Sequence, residues 1–209
     1  MKNSILKKLY NSILGEVLAK FHNKIFTAIH QPKMLWGYSD QQNKWKGKTR
    51  ISSSTVFYTK NNISIANQVY IGHYCILDGI GGIVIGEGTQ ISARTAIYTH
   101  SSHIAIRLYG YHYSDIDEKE MSELFVEPVI IGKFVYIGTN TTILSGVSIG
   151  DGALIAAGSI VKNDVSAYQC VAGSPARIIG STKEMDKKYL LNPEIRKWYE
   201  EWQHCDQSN

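Results

Sequence analysis

The stretch VIIGKFVYIGTNTTILSGVSIGDGALIAAGSIVKNDV, residues 129–165, repeats with a period of six. Each unit starts on an aliphatic residue that glycine often follows, as at Gly132, Gly138 and Gly150, and four positions after it stands a side chain no larger than valine. This period matches neither the 3.6 residues of a helical turn nor the two-residue alternation of a plain β-strand. It fits a short strand and a turn, with the aliphatic residue inside, the small residue at the corner and glycine where a side chain would crowd or φ is unfavourable.

The same grid extends upstream, with a two-residue shift after its third member and a longer break after its sixth. Its twelve aliphatic positions are Ile65, Ile71, Leu77, Ile85, Ile91, Ile97, Ile131, Ile137, Ile143, Ile149, Ile155 and Val161. Three such strands make a triangular coil of eighteen residues, and stacked coils bury one another as in a β-solenoid. The chain contains 27 Ile and 12 Leu, and this excess of a β-branched residue favours a β-rich fold over a helical bundle.

Residues 129–165, followed by VAGSPARIIG at 171–180, resemble the hexapeptide-repeat acyltransferases. Within that family the chain is most similar to the sugar O-acetyltransferases that use acetyl-CoA, including those that modify capsule and O-antigen. The resemblance is clear over residues 65–180. It implies a left-handed parallel β-helix, a homotrimer with active sites between subunits, and a sugar or glycan acceptor. It implies no metal ion and no nucleic-acid partner.

We expect three parts. Residues 1–50 form an N-terminal helical and basic segment, residues 51–180 form the β-helix with an excursion loop at 103–130, and residues 181–209 form a C-terminal helical tail. The first 50 residues carry ten Lys/Arg and two Asp/Glu, and apolar residues recur at helical spacing over 4–26. Such an amphipathic helix either packs on the β-helix or a neighbouring subunit, which we favour, or lies on an anionic membrane.

The tail places Trp198, Tyr199 and Trp202 on one stripe that we expect to cap the last coil. No run of 18 apolar residues and no signal-peptide pattern is seen, so we expect a cytoplasmic protein that can contact the inner membrane face only peripherally.

The sequence YTHSSH, residues 98–103, stands where the repeat breaks. Transfer of an acyl group to a sugar hydroxyl needs a general base, and neutral imidazole suits this role near pH 7. The family places its base in a similar stretch, which assigns the role to His100. His103 is the second candidate for the base, but a structural role or an acceptor contact is its preferred role. Asp78, in CILDG one coil earlier, is a candidate for contacting the acceptor or orienting the base, and an ordinary turn role is equally open.

The small side chains of AAGS, residues 156–159, offer a narrow strip for the pantetheine arm of coenzyme A, which makes Ala157 and Gly158 candidate contacts. Lys162 and Arg177, with Lys183 as a further option, could bind its phosphates. The family resemblance places the amide that stabilises the oxyanion at or near Thr139. The excursion contains RLYGYHY, residues 107–113, which we interpret as a wall of the acceptor site.

Other classes are weighed against this interpretation. An N-acetyltransferase on an amino sugar, an antibiotic acetyltransferase or a serine acetyltransferase would use the same coils. A zinc hydratase on this fold would need histidines at another spacing than that of His100 and His103. A purely structural solenoid would leave the histidine at the break unexplained. Three cysteines without a CxxC spacing indicate neither a disulfide framework nor a zinc ribbon, and Cys75 and Cys170 do not resemble nucleophiles.

Overall fold

The computed structural model describes residues 17–18, 20–21, 25, 29, 31–40, 44–117, 121 and 124–204. The chain divides into two units, Met1–Lys33 and Met34–Asn209. In the first unit the described positions 17, 18, 20, 21, 25 and 29 are helical, and the rest of the predicted amphipathic helix lies outside the described residues. Within the described ranges, no helix has both the length and the apolar character needed to cross a membrane.

The second unit is a three-sided parallel β-helix, in which successive strands of the chain join three sheets in turn. Sheet A contains β1 (Met34–Ser39), β2 (Trp45–Ser52), β5 (Tyr70–Ile71), β8 (Gln90–Ile91), β13 (Tyr136–Ile137), β16 (Leu154–Ile155), β18 (Gln169–Gly173) and β19 (Ala176–Ser181). Sheet B contains β3 (Val56–Tyr58), β6 (Ile76–Asp78), β9 (Ala96–Ile97), β14 (Thr142–Ile143) and β17 (Ile160–Val161). Sheet C contains β4 (Ile63–Ile65), β7 (Ile83–Ile85), β12 (Val129–Ile131) and β15 (Ser148–Ile149).

The interior is filled by the predicted grid. In sheet A, Ile71 pairs with Ile91, Ile91 with Ile137, and Ile137 with Ile155, so identical side chains stack from coil to coil. All twelve grid side chains are at most 2% exposed, which confirms their predicted interior position. Burial of each isoleucine contributes about 1.5–3 kcal/mol relative to leaving it exposed, so the stack stabilises every coil that it passes through.

The glycine that follows an interior residue is required by crowding. A Cβ on Gly138 would lie 2.4 Å from the backbone nitrogen of Ala157 in the next coil. The left-handed backbone occurs instead two positions later, at Asn140, where φ is 56°. Of the predicted small corner residues, Gly81 and Ser101 are only half-buried, because the chain inserts extra residues at their corner.

The insertions all lie at one corner, between a strand of sheet B and the next strand of sheet C, which we call the B–C corner. From Ile143 to Ile149 the chain crosses this corner in six residues, whereas it takes eight from Leu77 to Ile85. In the third coil the same corner holds the whole excursion between Ile97 and Ile131. The excursion includes β10 (His100–Ser101), α1 (Ala105–Tyr109), a 3₁₀ segment (Gly110–Asp115) and β11 (Phe125–Val126).

The β structure begins earlier than predicted. Strands β1 and β2 form an antiparallel hairpin, and β2 pairs in parallel with β5, so residues 34–39 and 45–52 extend sheet A. The prediction that residues 1–50 are a helical segment is therefore wrong over residues 34–39 and 45–50. These strands carry polar and aromatic residues in place of the six-residue repeat, which left nothing for the pattern to detect.

The C-terminal tail forms α2 (Thr182–Asp186) and α3 (Pro193–His204), as its helical pattern predicts. It does not cap the last coil. Trp202 packs along the side of the β-helix, with ring centroids 4.8 Å from Phe134 and 5.9 Å from Tyr168, while Trp198 is largely exposed. The antiparallel pair β18–β19 ends sheet A instead.

Adjacent isoleucines on β12 offer a direct test of the interior stack. Ile131 is 1% exposed and Ile130 is 47% exposed. We expect Ile131→Ala to lower the free energy of unfolding by about 2–5 kcal/mol, because it leaves a cavity between coils. Ile130→Ala is the matched control and should cost less than half as much in urea unfolding. Equal losses for the two variants would contradict the assignment of the interior.

Candidate active site

His100 and Asp78 meet at the B–C corner. His100 opens β10 just after a strand of sheet B, and Asp78 ends β6 in the coil before. The Nδ1 atom of His100 is hydrogen-bonded to Oδ2 of Asp78. The Asp78 side chain is 2% exposed, whereas that of His100 is 40% exposed. The structure therefore brings together two predicted site residues that are 22 positions apart.

The contact with Asp78 determines the tautomer of the His100 imidazole. A carboxylate oxygen only accepts hydrogen bonds, so Nδ1 of His100 carries a proton and donates it. In the neutral ring Nε2 then holds the free lone pair, and the buried carboxylate stabilises the ring once Nε2 takes up a proton. Nε2 of His100 is thus the ring nitrogen that remains able to accept a proton.

Backbone amides hold the carboxylate of Asp78 in place. The amide of Ile80 donates to Oδ1 at 3.3 Å, and the amide of Thr99 donates to Oδ2 at 3.4 Å. Together with His100, these donors engage both carboxylate oxygens, which compensates for the burial of the charge. Of the three roles that the sequence left open for Asp78, this geometry supports two: orientation of the histidine and a part in the turn that follows Asp78.

The return strand of the excursion, β11, forms the other side of this corner. His100 pairs with Val126 and Ser101 with Phe125, and both apolar partners are substantially exposed. The next residue, Glu127, donates its amide to the carbonyl oxygen of Thr99 at 3.0 Å. The sequence contains no motif that identifies β11, so these neighbours of His100 were missed.

His103 lies apart from this pair. Its Nδ1 is 2.8 Å from Oγ of Ser101, and the residue is exposed at the turn that precedes α1. Within the excursion, Ala105 and Met121 are buried, while Tyr111 is fully exposed. RLYGYHY thus follows His100 closely in the chain. It lies in a helical segment in which most side chains are exposed.

Thr139, Ala157 and Gly158 share a different corner, where sheet A turns into sheet B. They lie in successive coils, and the amide of Gly158 donates to the carbonyl oxygen of Thr139 at 2.8 Å. All three are exposed, and a Cβ on Gly158 would contact no atom within 4 Å. This A–B corner is an open strip of small side chains along the edge of the β-helix.

Lys162 and Arg177 line one cleft at the C-terminal end of the β-helix. The cleft has a volume of about 400 Å³ and is also lined by Asn163, Asp164 and Gln169. Arg177 is exposed and donates only to the carbonyl oxygen of Ala176 within the described residues. Lys183 lies elsewhere, with its ammonium 4.1 Å from the ring centroid of Tyr168.

The two described cysteines are buried thiols. Burial raises the pKa of Cys75, and burial and the charge of Asp186 raise the pKa of Cys170. A raised pKa reduces the thiolate fraction at neutral pH, and the thiolate is the nucleophilic form. Neither thiol is therefore suited to form an acyl-enzyme intermediate. Among the residues that the structure describes, no group of three or more His, Cys, Asp or Glu is arranged to bind a metal ion.

Comparison with known proteins agrees with the repeat pattern. The family model for bacterial transferase hexapeptide repeats (six repeats) matches residues 128–163. A dTDP-4-amino-4,6-dideoxy-D-glucose acyltransferase of Escherichia coli is 32% identical over 162 residues, which cover 68% of this chain and 81% of that protein. A putative acetyltransferase of Saccharomyces cerevisiae is 36% identical over 198 residues, which cover 89% and 94% of the two chains.

A solved structure of a galactoside acetyltransferase in complex with coenzyme A has a similar fold. The match has a TM-score of 0.54 and 28% sequence identity, and it covers 64% of this chain and 62% of the other.

Slow thiol chemistry is the expected behaviour of Cys75 and Cys170. In a Cys205→Ser variant, both should react with DTNB at pH 8 much more slowly than free cysteine, because burial keeps the thiols protonated. Unfolding in guanidinium chloride should expose both thiols, which should then react with DTNB as rapidly as free cysteine. Rapid labelling of either residue in the native protein, followed by peptide mass spectrometry, would reopen a covalent cysteine mechanism.

Proposed function

The chain belongs to the hexapeptide-repeat acyltransferases, and on that premise we propose that it transfers an acetyl group from acetyl-CoA to a hydroxyl group of a sugar. The observation that carries the proposal is the buried carboxylate of Asp78 holding Nδ1 of a half-exposed His100. We further propose that the acceptor is a glycan or glycan precursor of a surface polysaccharide, such as a capsule or O-antigen. The left-handed sense of the coil is part of the same proposal.

The proposed reaction is a direct transfer within a ternary complex. Nε2 of His100 takes the proton of the acceptor hydroxyl as its oxygen attacks the thioester carbonyl. The carboxylate of Asp78 stabilises the resulting imidazolium. When the tetrahedral intermediate collapses, the carbon–sulfur bond breaks and His100 returns the proton to the departing sulfur. The products are an acetyl ester and free coenzyme A.

Thr139 would supply the backbone amide that stabilises the oxyanion. In one chain, Thr139 lies at the A–B corner and His100 at the B–C corner, which are different edges of the β-helix. A homotrimer in which neighbouring edges face each other would unite them in one site. This separation supports the proposal that each active site is shared between two subunits.

Coenzyme A would lie along the A–B corner and the C-terminal cleft. Ala157 and Gly158 leave room for the extended pantetheine arm, since the space beside Gly158 is open. Lys162 and Arg177 line the cleft with positive charge, which suits the phosphates of the nucleotide portion. His103 and the excursion would contact the acceptor.

An amino-sugar acceptor is the second candidate, because the Escherichia coli relative is named for such a substrate. The His100–Asp78 pair favours the hydroxyl. A neutral amine can attack a thioester without losing a proton first, whereas a hydroxyl is a poor nucleophile until a base removes its proton in the transition state.

The His100→Gln variant tests the proposed base. We expect kcat to fall about 10²- to 10⁴-fold, the usual contribution of a general base, with little change in the KM for acetyl-CoA. His103→Gln is the matched comparison and should raise the KM for the acceptor. The assay is release of thiol from acetyl-CoA against sugars, nucleotide sugars and oligosaccharides, with mass spectrometry of the products. A His100→Gln enzyme with near-normal turnover on a hydroxyl acceptor would overturn the assignment, and exclusive acetylation of amino sugars would favour the second candidate.

Removal of Arg177 tests the coenzyme site. Arg177→Ala should raise the KM for acetyl-CoA several-fold, because it removes a cation that faces a phosphate. The KM for the dephosphorylated coenzyme, which lacks the 3′-phosphate, should barely change. Lys183→Ala is the control, since that ammonium lies on Tyr168 outside the cleft. An equal rise with both coenzyme forms would place the 3′-phosphate elsewhere.

A further inference from the structure

Thr99 uses every polar group that it has at the B–C corner. Its side chain is fully buried. Its hydroxyl donates to the carbonyl oxygen of Asp78 at 2.6 Å and accepts from the amide of Gly81 at 2.7 Å. Its amide donates to Oδ2 of Asp78, and its carbonyl oxygen accepts from the amide of Glu127.

The hydroxyl closes the turn that presents Asp78. The bonds to Asp78 and Gly81 join the two ends of this four-residue turn, in which the amide of Ile80 also donates to Oδ1 of Asp78. Gly81 approaches so closely that a Cβ there would lie 2.7 Å from the carbonyl oxygen of Thr99. The Thr99 hydroxyl therefore bridges both ends of the turn from which the Asp78 carboxylate reaches the imidazole of His100.

The carbonyl group of Thr99 holds the return strand of the excursion. It accepts from the amide of Glu127 at 3.0 Å, and Oγ of Ser145 in the next coil lies 2.9 Å away. The same Oγ accepts from the amide of Glu127 at 3.1 Å. Thr99 thus joins three coils and the end of the excursion in one network.

We propose that Thr99 is a positioning residue: it aligns the Asp78 carboxylate on His100 and fixes the return strand of the excursion beside that histidine. The proposal rests on the proposed function for its effect on turnover. Its structural content, the alignment of the imidazole, is independent of the reaction.

Thr89 provides a matched control. It is also fully buried, and its hydroxyl likewise donates to a backbone carbonyl, that of Gly132 at 2.7 Å. The same hydroxyl accepts a hydrogen bond from the amide of Val135 at 3.1 Å. These bonds join two coils at the corner between sheets C and A, away from His100.

The test compares Thr99→Val, Thr99→Ser and Thr89→Val in the full-length protein. Both valine variants remove one hydroxyl and leave two backbone groups unpaired, so we expect a similar fall in Tm. Thr99→Val should lower kcat about tenfold with an unchanged KM for acetyl-CoA, which corresponds to about 1.4 kcal/mol of transition-state stabilisation. Thr99→Ser should restore kcat, and Thr89→Val should keep it.

A second readout needs no substrate. The proton on Nδ1 of His100 should give a downfield resonance in the NMR spectrum, identified by its loss in His100→Gln. In Thr99→Val this resonance should shift or broaden through exchange. In Thr89→Val and Thr99→Ser its chemical shift and line width should be unchanged. This readout holds even if the chain acetylates none of the acceptors tried, so its outcome is separate from that of the proposed function.

Two results would overturn the proposal. One is an unchanged resonance and kcat in Thr99→Val. The other is an equal loss in Thr99→Val and Thr89→Val that follows Tm, which would make the hydroxyl only a stabilising group. If Thr99→Val fails to fold, Thr99→Ser decides alone. The methyl group lost in that variant leaves the hydroxyl network intact, so a tenfold loss of kcat there contradicts the proposal.

Discussion

One aliphatic side chain from each strand must stack on its equivalent in the next coil, and this constraint governs the rest of the molecule. Ile71, Ile91 and Ile137 share one column although the last two are 46 residues apart in the chain. Because the interior columns are in register, the corners between them are also in register. Residues that are distant in the chain therefore meet at a corner, as Asp78 and His100 do.

The same constraint decides where the chain can vary. An insertion within a strand would shift its interior residue out of the column and leave a cavity, whereas an insertion at a corner leaves the neighbouring strands in place. The β-helix has its insertions at the B–C corner, from the short turn after Leu77 to the whole excursion after Ile97. The turns stacked there differ in length, and the His100–Asp78 pair lies at this corner.

The stacked columns of interior side chains were predictable, because the six-residue period of the sequence marks each interior position directly. His100 could be named as a candidate from its place beside the repeat break and from the family resemblance. Asp78 could be placed one coil earlier but not paired with it, since the grid does not give the paths of the turns at the B–C corner. Val126 was not predictable as a neighbour of His100, because this contact depends on the path by which the excursion returns. The hydroxyl bonds of Thr99 were not predictable either, because they depend on the path of the turn from Asp78 to Gly81. The hairpin from Met34 was missed because its strands lack the period, and the position of Trp202 depends on where a helix packs, which its own pattern does not fix.

Burial of Asp78 couples the stability of this corner to its chemistry. A carboxylate that is 2% exposed needs hydrogen-bond donors, and the amides of Ile80 and Thr99 supply only part of them. The imidazole of His100 completes the set and, in doing so, is held in the tautomer that frees Nε2. The interaction that makes the buried charge tolerable is therefore also the interaction that leaves Nε2 of His100 free for the proposed role as base. Thr99 also connects this pair to Glu127, so the hydrogen bonds that hold the return strand of the excursion are continuous with those that hold the carboxylate of Asp78.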